Sequence, residues 1–462
     1  MLASIINTFV NCFKIPELRS RIFFTLIVLA VCRAIAIIPI PGLDARALMD
    51  YLDQLSKTSG AGGSLFEMYS LFTGRAVEHC AIGTLGIMPY ISATIIIQLL
   101  GAVVPTLSKL AREEGGRAKI VQYGRYLTVL LCLGQGYVMA LGWEHPQNIY
   151  RDFQGVLVLY DVKWWFRIQT VLMLTGGTLL LMWLGEQISE RGIGNGVSLV
   201  ITIGILARLP DTMQALYLLF FPPGGEAFSK VVILKGLALV CLLLGVVAAV
   251  IAVTQAQRKI PVQHAQRAVG RKVISGGSSF MPLRVNHAGV MPIIFAQAIL
   301  MFPHQILDLL GKQLDLKFLR EIAVKVGYGE PLYVVIEALM IIFFSYFWVA
   351  TQFNEIQIAD DLKKSGGYIP GVRPGQATSD FLHRTMSRVT LAGALFLAGI
   401  AIFPVILSRQ MGVSFSLASF FGGTSILITV GVMLDTLRQM EAHLLMRHYD
   451  GFLKKSRVRG RF

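Results

Sequence analysis

Charged side chains set inside long apolar runs are the first candidates for chemistry in this chain. Arg33, Arg167, Lys235, Glu337 and Asp435 each stand in such a run or at its end. An ionisable group at membrane depth is costly, and where it persists it usually relays a proton, couples an ion or lines a path. A relay needs two such groups within reach, as at i and i+4 on one helix face. No such pair is present, so each of these residues reads as a snorkelling or interhelix-bonded group rather than a transport site. Other chemistries lack their residues as well. The sequence has no Gly-rich phosphate loop, no nucleophile elbow and no metal-spaced His/Cys set. The histidines are isolated, and Cys12, Cys32, Cys80, Cys132 and Cys241 contain no C-x-x-C spacing, so neither a metal site nor a disulfide framework is indicated. The sequence reads against an enzyme and calls for no cofactor and no metal.

The elements that must position these residues are unusually apolar. Of 462 residues, 54% are hydrophobic and 15% charged, against about 25% charged in an average soluble domain. Mean hydropathy is +0.63. Continuous apolar runs recur at 22–41, 81–105, 122–143, 164–185, 196–209, 231–253, 288–310, 332–352, 389–408 and 414–436. Their continuity predicts membrane-spanning helices rather than the alternating strands of a barrel. The fifth run is the weakest: Arg208, Pro210 and Asp211 interrupt it before a second apolar patch, 216–221. It reads as a short span followed by an outer interfacial segment, with a broken span as the rival. No cleavable signal peptide is expected, because no small-residue cleavage site follows the first run.

Loop charge sets the orientation. The connection 253–285 is +6, the tail from Arg438 is +5 and the connection 106–120 is +2, whereas 42–80 is −2 and 311–331 is +1. Basic loops alternate with the others as ten spans require, which predicts a multi-pass protein with both termini cytoplasmic. Ten spans divide as five plus five, and an odd number per half inverts the second half relative to the first. The expected organisation is an N-terminal half (1–225), a C-terminal half (226–436, with cytoplasmic loops 253–285 and 353–388) and a basic tail (437–462).

Three stretches stand out from this frame. Leu65 to Phe72 is a short apolar dip ending at Gly74; as a helix it would reach about 12 Å, too little to cross a core about 30 Å thick. It is either a re-entrant backbone in a cavity or a surface loop on the outer face. The openings Gly86-Ile87-Met88-Pro89 and Gly289-Val290-Met291-Pro292 share a G-x-M-P pattern at corresponding spans, two and seven. Lastly, 366–375, GGYIPGVRPG, is dense enough in Gly and Pro to form a rigid non-helical loop presenting Arg373. It is suited to docking, or it is simply a solvated positive-inside loop.

The runs IPIPGLDARAL (38–48), LGIMPYISATIIIQLL (85–100), MWLGEQISERGIGNGVSL (182–199), QRKIPVQHAQR (257–267), PLRVNHAGVMP (282–292), ADDLKKSGGYIPGVRPG (359–375) and FGGTSILI (421–428) resemble the SecY family, channel subunits of the bacterial protein-export translocase. The resemblance covers nearly the whole chain in order. It implies an all-α polytopic fold, ten transmembrane helices in two inverted five-helix halves around a central pore, with a short plug helix. The function implied is passage of unfolded secretory polypeptides across the membrane and lateral release of hydrophobic segments into lipid. The alternatives are a secondary solute transporter with inverted repeats and a ribosome-binding assembly factor that does not conduct.

On this resemblance the pore ring falls at Ile87, Ile91, Val197, Ile201, Ile294 and Ile428. The plug, matched to 64–74, includes Leu65, Phe66, Met68, Tyr69, Leu71, Phe72 and Gly74. Spans two and seven flank the lateral gate. Partner docking falls at Arg258, Lys259, Arg271, Lys272 and Arg373. The partners implied are SecE-like and SecG-like small membrane subunits, the SecA motor ATPase, the ribosome, a secretory polypeptide with its signal sequence, and membrane lipid. The location implied is the inner (plasma) membrane. Three departures touch these sites: Val197 replaces the isoleucine of the best-known bacterial form, QAQRKI lacks an acidic residue common before the basic run, and FNEIQ replaces the more usual FNPxE.

Overall fold

The structure, a computed structural model, describes residues 15–58, 70, 72–113, 115–146, 155–160, 162–220, 230–264, 267–269, 272–274, 277–300, 318, 321–322, 325–327, 330–411, 420 and 423–455. These residues are mostly helical. Six helical stretches among them are long and apolar enough to cross a membrane, and two shorter apolar helices, Met88–Val103 and Met291–Leu300, accompany them. The described residues up to 218, together with those from 428 onward, form one compact unit; those between 219 and 427 form another.

In the first unit, α1 (Pro16–Ile35) starts with Pro16 in its first turn, where a missing N–H is harmless, and Glu17 beside it favours the positive helix end. The run expected at 22–41 is thus shifted. The helix stops at Ile35 because Pro39 and Pro41 cannot continue it. The released backbone pairs with a distant segment instead. Cys80 O accepts from Ile40 N at 2.9 Å, Ile38 O from Ile82 N at 3.0 Å and Ile35 O from Gly83 N at 3.2 Å. These bonds satisfy backbone groups that the end of the helix leaves without intrahelical partners. After α2 (Ala45–Thr58), the span expected from residue 81 begins as a helix only at Met88: α3 is Met88–Val103, and 74–87 is a succession of turns.

A short amphipathic helix, α4 (Pro105–Arg112), and two long ones, α5 (Gly116–Glu144) and α6 (Lys163–Arg191), follow. Next comes α7 (Gly196–Leu206), capped by the Asn195 side chain, which accepts from Ser198 N at 3.2 Å. Helices in lipid gain little from the hydrophobic effect and rely on close packing at small residues. A Cβ on Gly196 would lie 1.8 Å from Gly185 O, and one on Gly177 would lie 2.2 Å from Ile82 O. Gly196→Ala is therefore expected to cost about 1–3 kcal/mol through overpacking. A melting temperature of the detergent-solubilised protein equal to that of the unmodified chain would show that α6 and α7 separate freely.

The fifth run differs from the expected short span. Ala207 N bonds Ile203 O and Thr212 N bonds Arg208 O, so α7 runs almost directly into α8 (Leu209–Phe220). Pro210 sits in the first turn of α8, where its lost donor costs nothing. Gly196–Leu218 is thereby one helical stretch of spanning length, and the broken-span reading describes it better than the interfacial one. The unit closes with α14 (Thr424–Lys455; the elements between are given below). There Gln439 Oε1 accepts from Gly194 N, and Met440 packs with Leu18, Ile22 and Ile193.

The second unit opens with α9 (Lys230–Gln255). The all-helical expectation misses what comes next: connection 253–285 is a β-ribbon. Strands β1 (Gln257–His264) and β4 (Ser278–Arg284) pair antiparallel from Gln257 opposite Arg284, with β2 (Arg267–Val269) and β3 (Lys272–Ile274) as a second small hairpin. Then come α10 (Met291–Leu300), α11 (Pro331–Gln352), α12 (Glu355–Lys364), β5 (Gly367–Tyr368), which adds to β1, and α13 (Gln376–Met411). The connection 353–388 is likewise more ordered than a polar loop, since Asn354 caps α12 by accepting from Gln357 N at 3.1 Å. The ribbon and helices share a core of Ile260, Leu283, Val349, Phe353, Ile369 and Leu382.

Candidate functional site

The two G-x-M-P openings fold alike. Gly86 and Gly289 take φ of 58° and 64°, a left-handed conformation that glycine adopts without a Cβ penalty. In each, the helix then begins at the methionine and carries the proline in its first turn, at Met88-Pro89 and at Met291-Pro292. The shared pattern is therefore a shared local structure. It places Ile87 and Ile91 at the start of α3, and Ile294 in the first turn of α10.

In the first unit, Ile87, Ile91 and Ile201 are buried and Val197 is half-buried. Ile87 and the backbone of Val197 meet at Gly185: a Cβ there would lie 3.6 Å from Ile87 Cδ1 and 3.6 Å from Val197 N. Ile87 also lines a small cavity, of about 30 Å³, with Cys32, Phe72, Thr73, Val200 and Ile203. Ile428, fully buried, opens α14, and Ile294 is buried in the second unit. Of the expected plug, Leu65, Phe66, Met68, Tyr69 and Leu71 lie outside the described residues. Phe72 and Gly74 are described, and they pack backbone to backbone on α7: a Cβ on Gly74 would lie 2.8 Å from Gly204 Cα, and one on Gly204 would lie 3.0 Å from Phe72 O.

Four of the five ionisable residues singled out in the apolar runs are taken up by structural partners. Arg33 Nη1 donates to Gly74 O at 2.9 Å. Arg167 Nε donates to Glu144 Oε2 at 2.8 Å and its guanidinium covers the Trp164 ring. Glu337 Oε1 accepts from Gln297 Nε2 at 3.2 Å, and Asp435 lies 3.6 Å from Arg438. Lys235 lies in α9.

Sequence reasoning missed a second group. Glu78 receives Ser70 Oγ at 2.5 Å, Arg75 Nε at 2.5 Å and Arg208 Nη2 at 3.2 Å. Arg75 Nη1 reaches Asp211 at 2.8 Å. The signal was present in Arg208 and Asp211, which interrupt the fifth run, but nothing in the spacing tied them to residues 130 positions earlier. Burial, and then the neighbouring Arg75 guanidinium, push His79 below the ordinary imidazole range.

At the other end of the chain's chemistry, Arg258 and Lys259 are exposed on β1, and Arg373 is exposed in a turn with left-handed Gly366, Gly371 and Gly375 around it. Thr378 Oγ1 donates to Arg373 O at 2.9 Å, and Val372 packs on the ribbon core, so the turn is pinned on both sides of its charge. Lys272 lies in β3, and Arg271 lies outside the described residues.

Comparison with known proteins gives one result by three routes. The family model SecY matches residues 81–437. The protein translocase subunit SecY of Chlamydia trachomatis is 43% identical over 458 residues, 97% of this chain and 98% of that protein. The subunit of the same name from Escherichia coli is 40% identical over 445 residues, 96% of each. A solved structure described as that of a protein conducting channel superposes with a TM-score of 0.60 at 19% identity, over 95% of this chain and 94% of that one. Sec61 in the canine ribosome-channel complex from the endoplasmic reticulum does so with a TM-score of 0.57 at 18% identity, over the same shares.

Proposed function

This chain belongs to the SecY family, and we propose that it is the channel subunit of a protein translocase, conducting unfolded secretory polypeptides across a membrane and releasing hydrophobic segments sideways into lipid. The observation that carries this reading is the small cavity that Ile87, Val200 and Ile203 share with Phe72 and Thr73, beside which the Phe72 and Gly74 backbone packs on Gly204 of α7. In this reading Ile87, Ile91, Val197, Ile201, Ile294 and Ile428 are the constriction, and 64–74 is its stopper. A ring of aliphatic side chains dewets, which excludes ions without binding the peptide that passes. Val197, one methylene shorter than isoleucine, leaves that ring slightly wider. Exit to lipid follows partitioning, since a stretch of about 20 apolar residues is more stable in hydrocarbon than in a wet pore.

The chain hydrolyses nothing in this reading, so the driving force comes from a partner on the cytoplasmic face. Arg258, Lys259, Arg271, Lys272 and Arg373 form that docking face, for a SecA-like motor or a ribosome. Small membrane subunits resembling SecE and SecG complete the assembly. In this reading the ten apolar runs are ten spans in two inverted halves, the loop charges support both termini being cytoplasmic, and the family resemblance supports the inner membrane. A solute transporter would need a coupled charge set at mid-membrane, and the buried carboxylate of Glu337 meets an amide. Site-specific crosslinking tests the reading. A photoreactive residue at Ile91 or Ile294 is expected to capture a stalled secretory chain, and one at lipid-exposed Leu130 is not. Equal capture at all three positions would remove the pore from this location.

A further inference from the structure

The return segment 72–87 leads into α3 and hence to Ile87 and Ile91, while α7 carries Val197 and Ile201. Both elements continue into the same cluster of charges. Glu78 lies nine residues before Ile87. Arg208 lies seven residues after Ile201, about 10 Å along a helix axis. Glu78 and Arg208 are the enclosed pair, with side chains 10% and 12% exposed, and Asp211, at 45%, is the wet rim. Both carboxylate oxygens of Glu78 are used, Oε1 by Ser70 and Arg208 and Oε2 by Arg75.

Two further features show that the cluster constrains backbone. Arg75 holds φ of 71°, a left-handed conformation that a side-chain-bearing residue keeps only when its surroundings over-determine it. That bend brings its guanidinium to both Glu78 and Asp211. One residue earlier, Gly74 O is held by Arg33 of α1 and its Cα lies against Gly204 of α7, where a Cβ would have no room. Apolar contacts alone would let α7 slide along the return segment with little loss. Directional hydrogen bonds between enclosed charges would not, because a shift of about 1 Å breaks them and strands a charge in a low-dielectric site.

We propose that Glu78, clamped by Arg75 and Arg208 with Asp211 at the rim, is a brace that fixes the spacing of Ile87 and Ile91 against Val197 and Ile201. These are positioning residues: they touch no substrate and act through the helices they tie together. The inference rests on the ring reading of those four side chains, and its test separates the two.

The full chain, reconstituted with its small membrane subunits, is placed in planar bilayers and its resting ion leak measured. Glu78→Gln and Arg208→Gln are expected to raise the leak about tenfold, the size of a modest site-to-site coupling. Arg208→Lys, which keeps a cation on Glu78, is expected to stay within about threefold of the unmodified channel. Ile201→Gly, run alongside, leaks if the ring reading holds. A leaky Ile201→Gly with tight Glu78→Gln and Arg208→Gln channels overturns the brace and leaves the ring standing. A tight Ile201→Gly overturns the ring, and the brace with it. Arg208→Lys leaking as much as Arg208→Gln would also overturn the brace, since the charge would then not be what matters. Should Glu78→Gln fail to fold, Asp211→Asn at the exposed rim replaces it, and an Asp211→Asn and Arg208→Gln pair with unchanged leak overturns the brace equally.

Discussion

Replacing Ile87, Ile91, Ile201, Ile294 and Ile428 together with glycine is expected to turn a sealed membrane into a leaking one. Each isoleucine that leaves takes about 2 kcal/mol of apolar burial with it. Five such losses shift the balance between a dry and a wet constriction by several kcal/mol, on the order of a hundredfold or more in the wet population. Four of the five residues lie within helices, where glycine itself costs about 1 kcal/mol each. A parallel serine set, with a smaller backbone cost, distinguishes a wetted ring from a loosened scaffold. Both sets should conduct ions at rest in planar bilayers. Unchanged conductance in both would remove these positions from the seal, whatever the fate of the polypeptide path.

Arg373→Glu is the second large effect. The turn that carries it is fixed independently of its charge, through the Thr378 bond to its carbonyl and through Val372 in the ribbon core. Reversal should therefore leave membrane insertion and melting temperature as they were. What it changes is the cation presented on the face proposed for docking. Breaking one side of a desolvated charge pair at an interface costs about 2–5 kcal/mol, a loss of roughly 30- to 5,000-fold in affinity. Export of a secretory precursor into membrane vesicles should stop, and co-sedimentation with the motor or ribosome should weaken in step. Normal export by the variant would take Arg373 out of docking.

The parts legible in the sequence were those governed by local chemistry. Apolar runs gave the helices, because a chain in lipid has few other ways to satisfy its backbone. The G-x-M-P openings marked the places where two helices start, although the apolar runs set those spans from 81 and 288, because Gly and Pro act on φ at their own positions. The Gly/Pro density of 366–375 likewise gave a non-helical turn. Helix ends were less legible wherever a distant segment decided them. Residues 36–41 are as apolar as those before them, and although Pro39 and Pro41 bar a helix there, nothing in them identifies their partner, 80–83. The ribbon at 257–284 was hidden for a similar reason, since its strands pair across an interval that reads only as polar and basic. Within the candidate site, the aliphatic positions rest on the family resemblance, while the Glu78 cluster came from contacts across more than a hundred residues. Spacing rules for single helices cannot reach that far.

The pairing of 35–40 with 80–83 also has a consequence in time. A spanning helix can form as soon as its own residues are made, but at the exit of α1 Ile35 O, Ile38 O and Ile40 N have no partner until Gly83, Ile82 and Cys80 exist. At 5–20 residues per second of synthesis, that interval lasts roughly 2–8 s. During it, the Ile38 carbonyl and the Ile40 amide lack the partners they have in the folded chain. The first span is therefore an unfinished element for some seconds of its own biogenesis, and it is completed by a segment made about 40 residues later.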